Sequence, residues 1–177
     1  MTRAFVPLPA LDELDDAACA AALAPLFEGA PRFLARLAEV RPFGDEATLF
    51  ERARAIAHAI PEPEQVELID AHPRLGAPPG TVSALSFREQ GYDVEAADAA
   101  AEAERARVAA ALVRLNEAYE DRFGFRCCVF VAGRPRAALL PELESTLDAD
   151  RHAELHRALD AVVDIAADRY RTLSGAR

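Results

Sequence analysis

The apolar residues of this chain are mostly Ala and Leu, and they recur at helical spacing. Both residue types lose little free energy on entering a helix. In the predicted helix over residues 45–60, for example, Leu49, Ala53 and Ile56 fall on one face. Only the segment 123–131 is strongly β-prone, and a single strand cannot build a sheet. The pattern therefore predicts an all-α fold.

Prolines and glycines divide the chain into about seven to eight helices. The predicted helices cover residues 11–27, 32–40, 45–60, 63–71, a helix start at 86–90, 94–122, 136–147 and 150–173. We expect residues 1–10 to be extended, 73–82 to form a loop, and 123–131 to be buried extended chain or a distorted helix. Because no repeat or linker interrupts the pattern, residues 1–177 are predicted to form a single compact domain.

Charge and cysteine content exclude several classes of protein. The chain has 20 Lys and Arg against 30 Asp and Glu, a formal net charge of −10. This balance argues against a nucleic-acid partner or an anionic membrane surface, and a small anionic substrate would need a cation within its own site. No apolar stretch approaches the ~20 residues of a membrane span. Three cysteines, two of them adjacent, cannot form a disulfide framework and predict reduced thiols in the cytoplasm.

His72 lies in the segment Ala71-His72-Pro73, where a predicted helix ends because the following proline leaves helical geometry. The carbonyl groups at a helix C-terminus favour the imidazolium form, which suits a proton donor near neutrality. A histidine that caps its own helix, or is solvated at the turn, fits the pattern equally.

The segment from Ser86 to Gln90 fits the capping-box pattern, with Ser86 as N-cap and Glu89 reaching back. The N–H groups at the same helix start are also suited to binding oxyanions. In that functional interpretation Glu89 orients or deprotonates a group, and Gln90 binds a urea or amide.

The last predicted helix offers a weaker pair of features. His152 and His156 are one turn apart, but no third ligand is evident, so we predict no metal site. Arg169 and Arg171 flank Tyr170, and arginines near a helix C-terminus commonly offset the helix dipole.

Several motifs follow one another in a fixed order along the chain. They are Phe27-Glu28 with Pro31, Arg41-Pro42-Phe43, Ala71-His72-Pro73 with Leu75-Gly76, Ser86-x-x-Glu89-Gln90, Leu115-Asn116-x-x-Tyr119 and Phe123-Gly124-Phe125. The ordered set resembles the family of 2-oxo-4-hydroxy-4-carboxy-5-ureidoimidazoline (OHCU) decarboxylases from about residue 27 to 173. The resemblance implies an all-α homodimer without metal or organic cofactor. It also implies loss of CO2 from OHCU to give (S)-allantoin in urate catabolism.

Site residues follow from the resemblance by motif. His72 matches the family's catalytic histidine, and Glu89 is predicted to be the second catalytic residue. The predicted substrate-binding residues are Pro73, Ser86, Gln90, Arg126, Cys127, Cys128, Val129, Phe130 and Arg169, with 126–130 acting through the backbone. Because the imidazoline ring can accept the electron pair, we expect His72 to deliver a proton, Glu89 to hold its tautomer or a substrate hydroxyl, and Arg169 to supply the local cation.

The chain departs from the family pattern in two places. The loop between His72 and Ser86 is short, and Gly91-Tyr92-Asp93-Val94 stands where Ala-Gly-Leu-like residues are expected. Three alternatives stay open: the same scaffold acting on a related ureido or imidazoline acid, a non-catalytic helical interaction module, and a metal-dependent hydrolase.

Overall fold

The computed structural model describes residues 5–93 and 99–175, and this part of the chain contains nine α-helices and no strand. The helices are α1 (Leu8–Glu13), α2 (Asp16–Leu23), α3 (Pro31–Glu39), α4 (Glu46–Ala59), α5 (Glu62–Asp70), α6 (Ala84–Glu89), α7 (Ala99–Phe123), α8 (Arg136–Thr146) and α9 (Arg151–Ser174). A 3-10 turn covers Pro79–Thr81. The all-α prediction is confirmed.

The first predicted helix is in fact two helices, which accounts for the larger helix count. Leu14 is extended, and the Asp15 carboxylate caps α2 by accepting from the Ala18 N–H at 2.7 Å. An aspartate in the N-cap position favours a new helix start over a continuous helix. The expectation that residues 1–10 are extended is wrong for residues 8–10, because α1 already begins at Leu8 behind Pro7. The predicted start of the long helix at Val94 lies outside the described residues.

The chain divides into two compact units. The terminal unit comprises Met1–His72 and Leu159–Arg177, and the middle unit comprises Pro73–Ala158. Our single-domain expectation stays a prediction. None of the helices in the described ranges is long and apolar enough to cross a membrane.

The terminal unit has a core of apolar side chains from α1 to α5 and the second part of α9. Helix α3 packs against α2, α4 and α5. The rings of Phe27 and Phe33 lie 4.9 Å apart between their centroids, and Leu37, Leu49 and Val162 are fully buried. This burial removes apolar surface from water, at roughly 25 cal/mol per Å².

The middle unit contains the β-prone segment, which is neither helix nor strand. Phe125, Cys127 and Val131 are buried there, which confirms the predicted burial. Two arginines bind its carbonyl groups: Arg157 donates to Cys128 O at 2.9 Å and Arg134 donates to Phe130 O at 2.8 Å. Side-chain donors therefore replace the ladder that a partner strand would supply.

Candidate active site

His72 directly follows the C-cap residue of α5, and it is buried, with 4% of the residue exposed. Helix α5 ends at Asp70 because Pro73 disfavours helical geometry in the preceding residue. The His72 Nδ1 atom lies 3.4 Å from the Leu68 carbonyl oxygen, one turn back. This contact favours the tautomer with the proton on Nδ1, which makes Nε2 the basic nitrogen.

Arg169 lies on α9 with 1% of its side chain exposed, and it is bound by the turn between α2 and α3. Its Nη2 atom is 2.8 Å from the Glu28 carboxylate, and Nη1 donates to Pro25 O and Leu26 O at 3.2 Å each. Burying a guanidinium costs several kcal/mol unless a carboxylate and carbonyl groups replace its water. Arg169 is therefore a buried cation that carries its own protein carboxylate, and its role as the cation for the substrate stays a prediction.

Glu28, the partner of Arg169, is a residue to which sequence analysis assigned no role. Its backbone adopts φ +54°, in the left-handed region that non-glycine residues seldom enter. Such a conformation costs on the order of 1 kcal/mol or more and persists where surrounding structure imposes it. The signal available in the sequence was its place in the first shared motif, Phe27-Glu28 with Pro31.

The charge expected on His72 is not the one that the structure supports. Burial, and then the positive charge of Arg169, lower the pKa of His72 to about 4, although Glu28 and the Leu68 carbonyl act in the opposite direction. The helix-end argument for an imidazolium is therefore wrong, because desolvation of the charged ring outweighs the favourable carbonyl groups. His72 is neutral at physiological pH before substrate binds.

Ser86 is not the N-cap that the capping-box pattern predicted. Helix α6 begins at Ala84, and Ser83 caps it by accepting from the Ser86 N–H at 3.1 Å. Ser86 itself is inside the helix and buried. The N–H groups of Phe87 and Gln90 donate within the helix, to Ser83 O and Ser86 O. The expected oxyanion-binding helix start at Ser86–Gln90 is therefore wrong, since Ser86–Glu89 are the last four residues of a short helix and Gln90 is its C-cap.

Gln90 caps the C-terminus of α6, and its side-chain amide binds the loop that follows Pro73. Its Oε1 accepts from the Gly76 N–H at 2.7 Å, and its Nε2 donates to Arg74 O at 3.3 Å. Glu89 is the last residue of α6 and is half-buried. The substrate-binding roles of Ser86 and Gln90, and the catalytic role of Glu89, stay predictions.

The segment 126–130, which was expected to offer backbone contacts, is anchored by a buried polar network. Tyr119 O–H donates to Glu154, which also pairs with Arg157. Arg157 in turn holds the Cys128 carbonyl. Burial raises the pKa of Cys127 to about 12, so its thiol stays protonated. All three cysteines are free and buried.

The predicted site residues are divided between the two units. His72 and Arg169 both belong to the terminal unit, where they interact electrostatically and Glu28 joins them. The Ser86–Gln90 and 126–130 groups belong to the middle unit. No group of three His, Cys, Asp or Glu side chains could share a metal ion in the part of the chain that the structure describes. The His152 and His156 rings stack, with centroids 4.3 Å apart.

The lowered pKa of His72 predicts that mild acid destabilises the native protein. Below its ordinary pKa of 6.5 the unfolded histidine binds a proton, while the native one stays neutral until about pH 4. The free energy of unfolding should therefore fall between these pH values, by up to about 1.4 kcal/mol per pH unit from this group. Urea unfolding followed by helical circular dichroism measures this slope.

The variant His72→Asn should lose that part of the slope, because it removes the titrating ring. His152→Asn, the same exchange at an exposed position, is the matched control and should keep the wild-type slope. Equal slopes in the wild type and His72→Asn would contradict the assignment of a neutral, desolvated ring.

Comparison with known proteins identifies the chain's relatives. The family model described as OHCU decarboxylase matches residues 12–171. The uric acid degradation bifunctional protein PucL of Bacillus subtilis (strain 168) is 31% identical over 88% of this chain, which spans only 30% of that protein. The 2-oxo-4-hydroxy-4-carboxy-5-ureidoimidazoline decarboxylase of Haloferax volcanii is 27% identical, with 90% of each chain covered.

Two solved structures share the fold. A crystal structure of OHCU decarboxylase in the presence of (S)-allantoin has a TM-score of 0.66 at 20% identity, covering 86% of this chain and 96% of that chain. A crystal structure of (S)-allantoin synthase has a TM-score of 0.67 at 21% identity, covering 95% of this chain and 53% of that chain. With its family model matched over residues 12–171, the chain belongs to the OHCU decarboxylase family.

Proposed function

We propose that this protein decarboxylates OHCU to (S)-allantoin and CO2 in urate catabolism, without a metal or organic cofactor. The single observation that carries the proposal at the site is the buried, neutral His72 within electrostatic reach of the Arg169–Glu28 pair. Family membership supplies the reaction class, and this arrangement supplies a base, a cation and a desolvated environment.

The reaction requires one bond to break and one proton to reach carbon. The bond between the ring carbon and the carboxylate breaks, CO2 leaves, and the electron pair passes into the ring. The hydroxyl-bearing carbon then becomes a carbonyl, and the neighbouring ureido-bearing carbon accepts a proton on one face. The net reaction consumes one proton. This proton comes from solvent, and a nitrogen atom of the ring takes it up.

A neutral His72 is suited to the steps that follow the loss of CO2. Its basic Nε2 takes the proton of the substrate hydroxyl and becomes an imidazolium, and then returns a proton to the ureido-bearing carbon. The Leu68 carbonyl, 3.4 Å from Nδ1, orients the ring for both transfers. Delivery from one fixed ring accounts for a single enantiomer, because only one face of the carbon then receives the proton.

Arg169 attracts the substrate carboxylate in competition with Glu28. The guanidinium already contacts Glu28 and two carbonyl groups, so an incoming carboxylate shares it. This moderated attraction is suitable for decarboxylation, because an ion pair that is tight only on the starting carboxylate would stabilise the substrate and not the transition state. Arg169 therefore serves binding and orientation.

The family resemblance also motivates the cellular and oligomeric parts of the proposal. The net charge of −10 and the reduced thiols are compatible with a cytoplasmic enzyme. A small-molecule substrate is its proposed partner, with no nucleic acid or membrane. The enzyme is proposed to be a homodimer.

The function predicts that the protein accelerates formation of one allantoin enantiomer. Urate oxidase and hydroxyisourate hydrolase generate the substrate in the cuvette, and circular dichroism follows allantoin. We expect (S)-allantoin to form faster than the racemic background, because the enzyme controls the protonated face. A rate and an enantiomer ratio equal to background would favour a related ureido acid as the substrate, or the non-catalytic interaction module.

His72→Asn is expected to lower kcat/KM on the order of 100- to 10,000-fold, since it removes the group that moves the proton. Initial rates in the same coupled assay measure it, with His152→Asn as the control of unchanged activity. For the wild type, kcat/KM should persist from neutral pH down to about pH 5 and fall near pH 4, where His72 takes up a proton.

Two outcomes would contradict this assignment. Unchanged activity in His72→Asn would exclude the proton-transfer role. Activity that disappears as the pH rises through 6.5 would support the prediction from the sequence, in which a charged His72 donates the proton. Glu89→Gln in the same assay tests the proposed catalytic role of Glu89, for which a loss of kcat is expected.

Multi-angle light scattering on the purified protein tests the homodimer. A mass twice the 19.1 kDa of the chain is expected. A mass of one chain across the working concentration range would overturn this part of the proposal without affecting the reaction.

A further inference from the structure

The guanidinium of Arg169 binds three oxygen-bearing groups of the turn between α2 and α3. Its Nη2 atom is 2.8 Å from the Glu28 carboxylate, and Nη1 donates to Pro25 O and Leu26 O at 3.2 Å each. Only 1% of the Arg169 side chain and 14% of the Glu28 side chain are exposed. Because so little water screens this pair, its two charges interact more strongly than those of a surface ion pair.

The turn fixes where the Glu28 carboxylate lies. Glu28 has φ +54° and Gly29 has φ +88°, and Phe27, the residue before them, is fully buried. The two carbonyl groups that hold Arg169 belong to the same turn. One backbone segment therefore positions both the carboxylate and the carbonyl groups around the guanidinium, so Glu28 stays beside Arg169 when a second anion arrives.

The group formed by Glu28, Arg169 and His72 carries no net charge before substrate binds. Arg169 is positive and Glu28 is negative, while burial and Arg169 keep the pKa of His72 at about 4 and the ring neutral. An incoming substrate carboxylate adds a negative charge that this group does not balance. Two carboxylates then share one guanidinium, and like charges at such close range repel each other.

We propose that Glu28 promotes decarboxylation by repelling the substrate carboxylate that Arg169 binds. The inference rests on the proposed function. As the bond to the ring carbon breaks, its electron pair passes into the ring and CO2 leaves as a neutral molecule. Repulsion by Glu28 is therefore largest in the bound substrate and declines towards the transition state, which lowers the barrier between them. Glu28 stays ionised throughout and remains paired with Arg169 after CO2 has left.

Glu28→Gln tests the proposal because it removes the charge and keeps a side chain of similar size with an acceptor oxygen. We expect KM and kcat both to fall, each on the order of 10-fold, since the substrate carboxylate is then bound without being repelled. The ratio kcat/KM should change by less than about threefold. If Glu28 served only to hold Arg169 in place, KM would rise instead.

Glu46→Gln is the matched control. Glu46 pairs with Arg171 at 2.7 Å, two residues beyond Arg169 on α9, but 32% and 52% of these two side chains are exposed. A surface pair contributes little, so KM and kcat should keep their wild-type values.

Glu28→Asp is a second test, and it decides the question if Glu28→Gln does not fold. It keeps the charge but withdraws it from the guanidinium by one methylene group. KM and kcat should therefore both fall by a smaller factor, about two- to fourfold. A KM that is unchanged or raised would contradict the proposal.

Calorimetric binding supplies a measurement that does not depend on activity. The probes are 2-oxoimidazolidine-4-carboxylate, a stable acid, and its carboxamide, which is the neutral counterpart. Glu28→Gln should bind the acid on the order of 10-fold more tightly than the wild type does, and the amide equally. The acid should also raise the Tm of Glu28→Gln more than that of the wild type, because it restores a negative charge beside Arg169.

The outcomes separate this inference from the proposed function. A raised KM or weaker binding of the acid in Glu28→Gln would overturn the repulsion, in favour of a Glu28 that holds Arg169 or contacts the substrate directly. Equal affinity of both proteins for the acid, or no binding by either, would overturn it as well. A wild-type protein that binds the acid but does not accelerate decarboxylation would instead refute the proposed function, and calorimetry would still decide whether Glu28 opposes a carboxylate at Arg169.

Discussion

The ion pair between Arg169 and Glu28 is the interaction on which the terminal unit depends most. A guanidinium with 1% of its side chain exposed is tolerated only because one carboxylate and two carbonyl groups replace its hydration. These partners join α9 to the turn between α2 and α3. The same turn holds Glu28 in a left-handed conformation.

Burial, more than this pair, sets the chemical state of the histidine. Buried imidazole rings resist protonation, and the positive charge of Arg169 adds to that resistance, while Glu28 opposes it. A neutral ring can accept a proton from the substrate before it returns one to carbon, whereas a permanent imidazolium could only donate. Burial of the ring beside Arg169 thus favours the neutral form that the proposed mechanism uses.

The middle unit illustrates how irregular chain can be held without secondary structure. Arg157 and Arg134 bind carbonyl groups of the segment 126–131, and Tyr119 and Glu154 complete the buried network behind Arg157. Around the loop Arg74–Ala77, amide and hydroxyl side chains have the same function. In both places side chains satisfy the backbone groups, some from nearby in sequence, as Arg134 does for Phe130, and some from a distance, as Arg157 does for Cys128.

The sequence by itself determined the helical class and the approximate position of most helices, and it predicted His72 and Arg169 as site residues. Helical periodicity and proline positions are local properties, so they can be read from neighbouring residues. Only the tertiary structure decided that Ser83, and not Ser86, caps α6, that Gln90 holds a loop, that Glu28 pairs with Arg169 and that His72 is neutral. The Ser83 cap is a local contact, and the sequence offered two serines for it. The contacts of Gln90 and Glu28 and the neutrality of His72 depend on burial or on a partner distant in the chain, and local pattern contains no information about either.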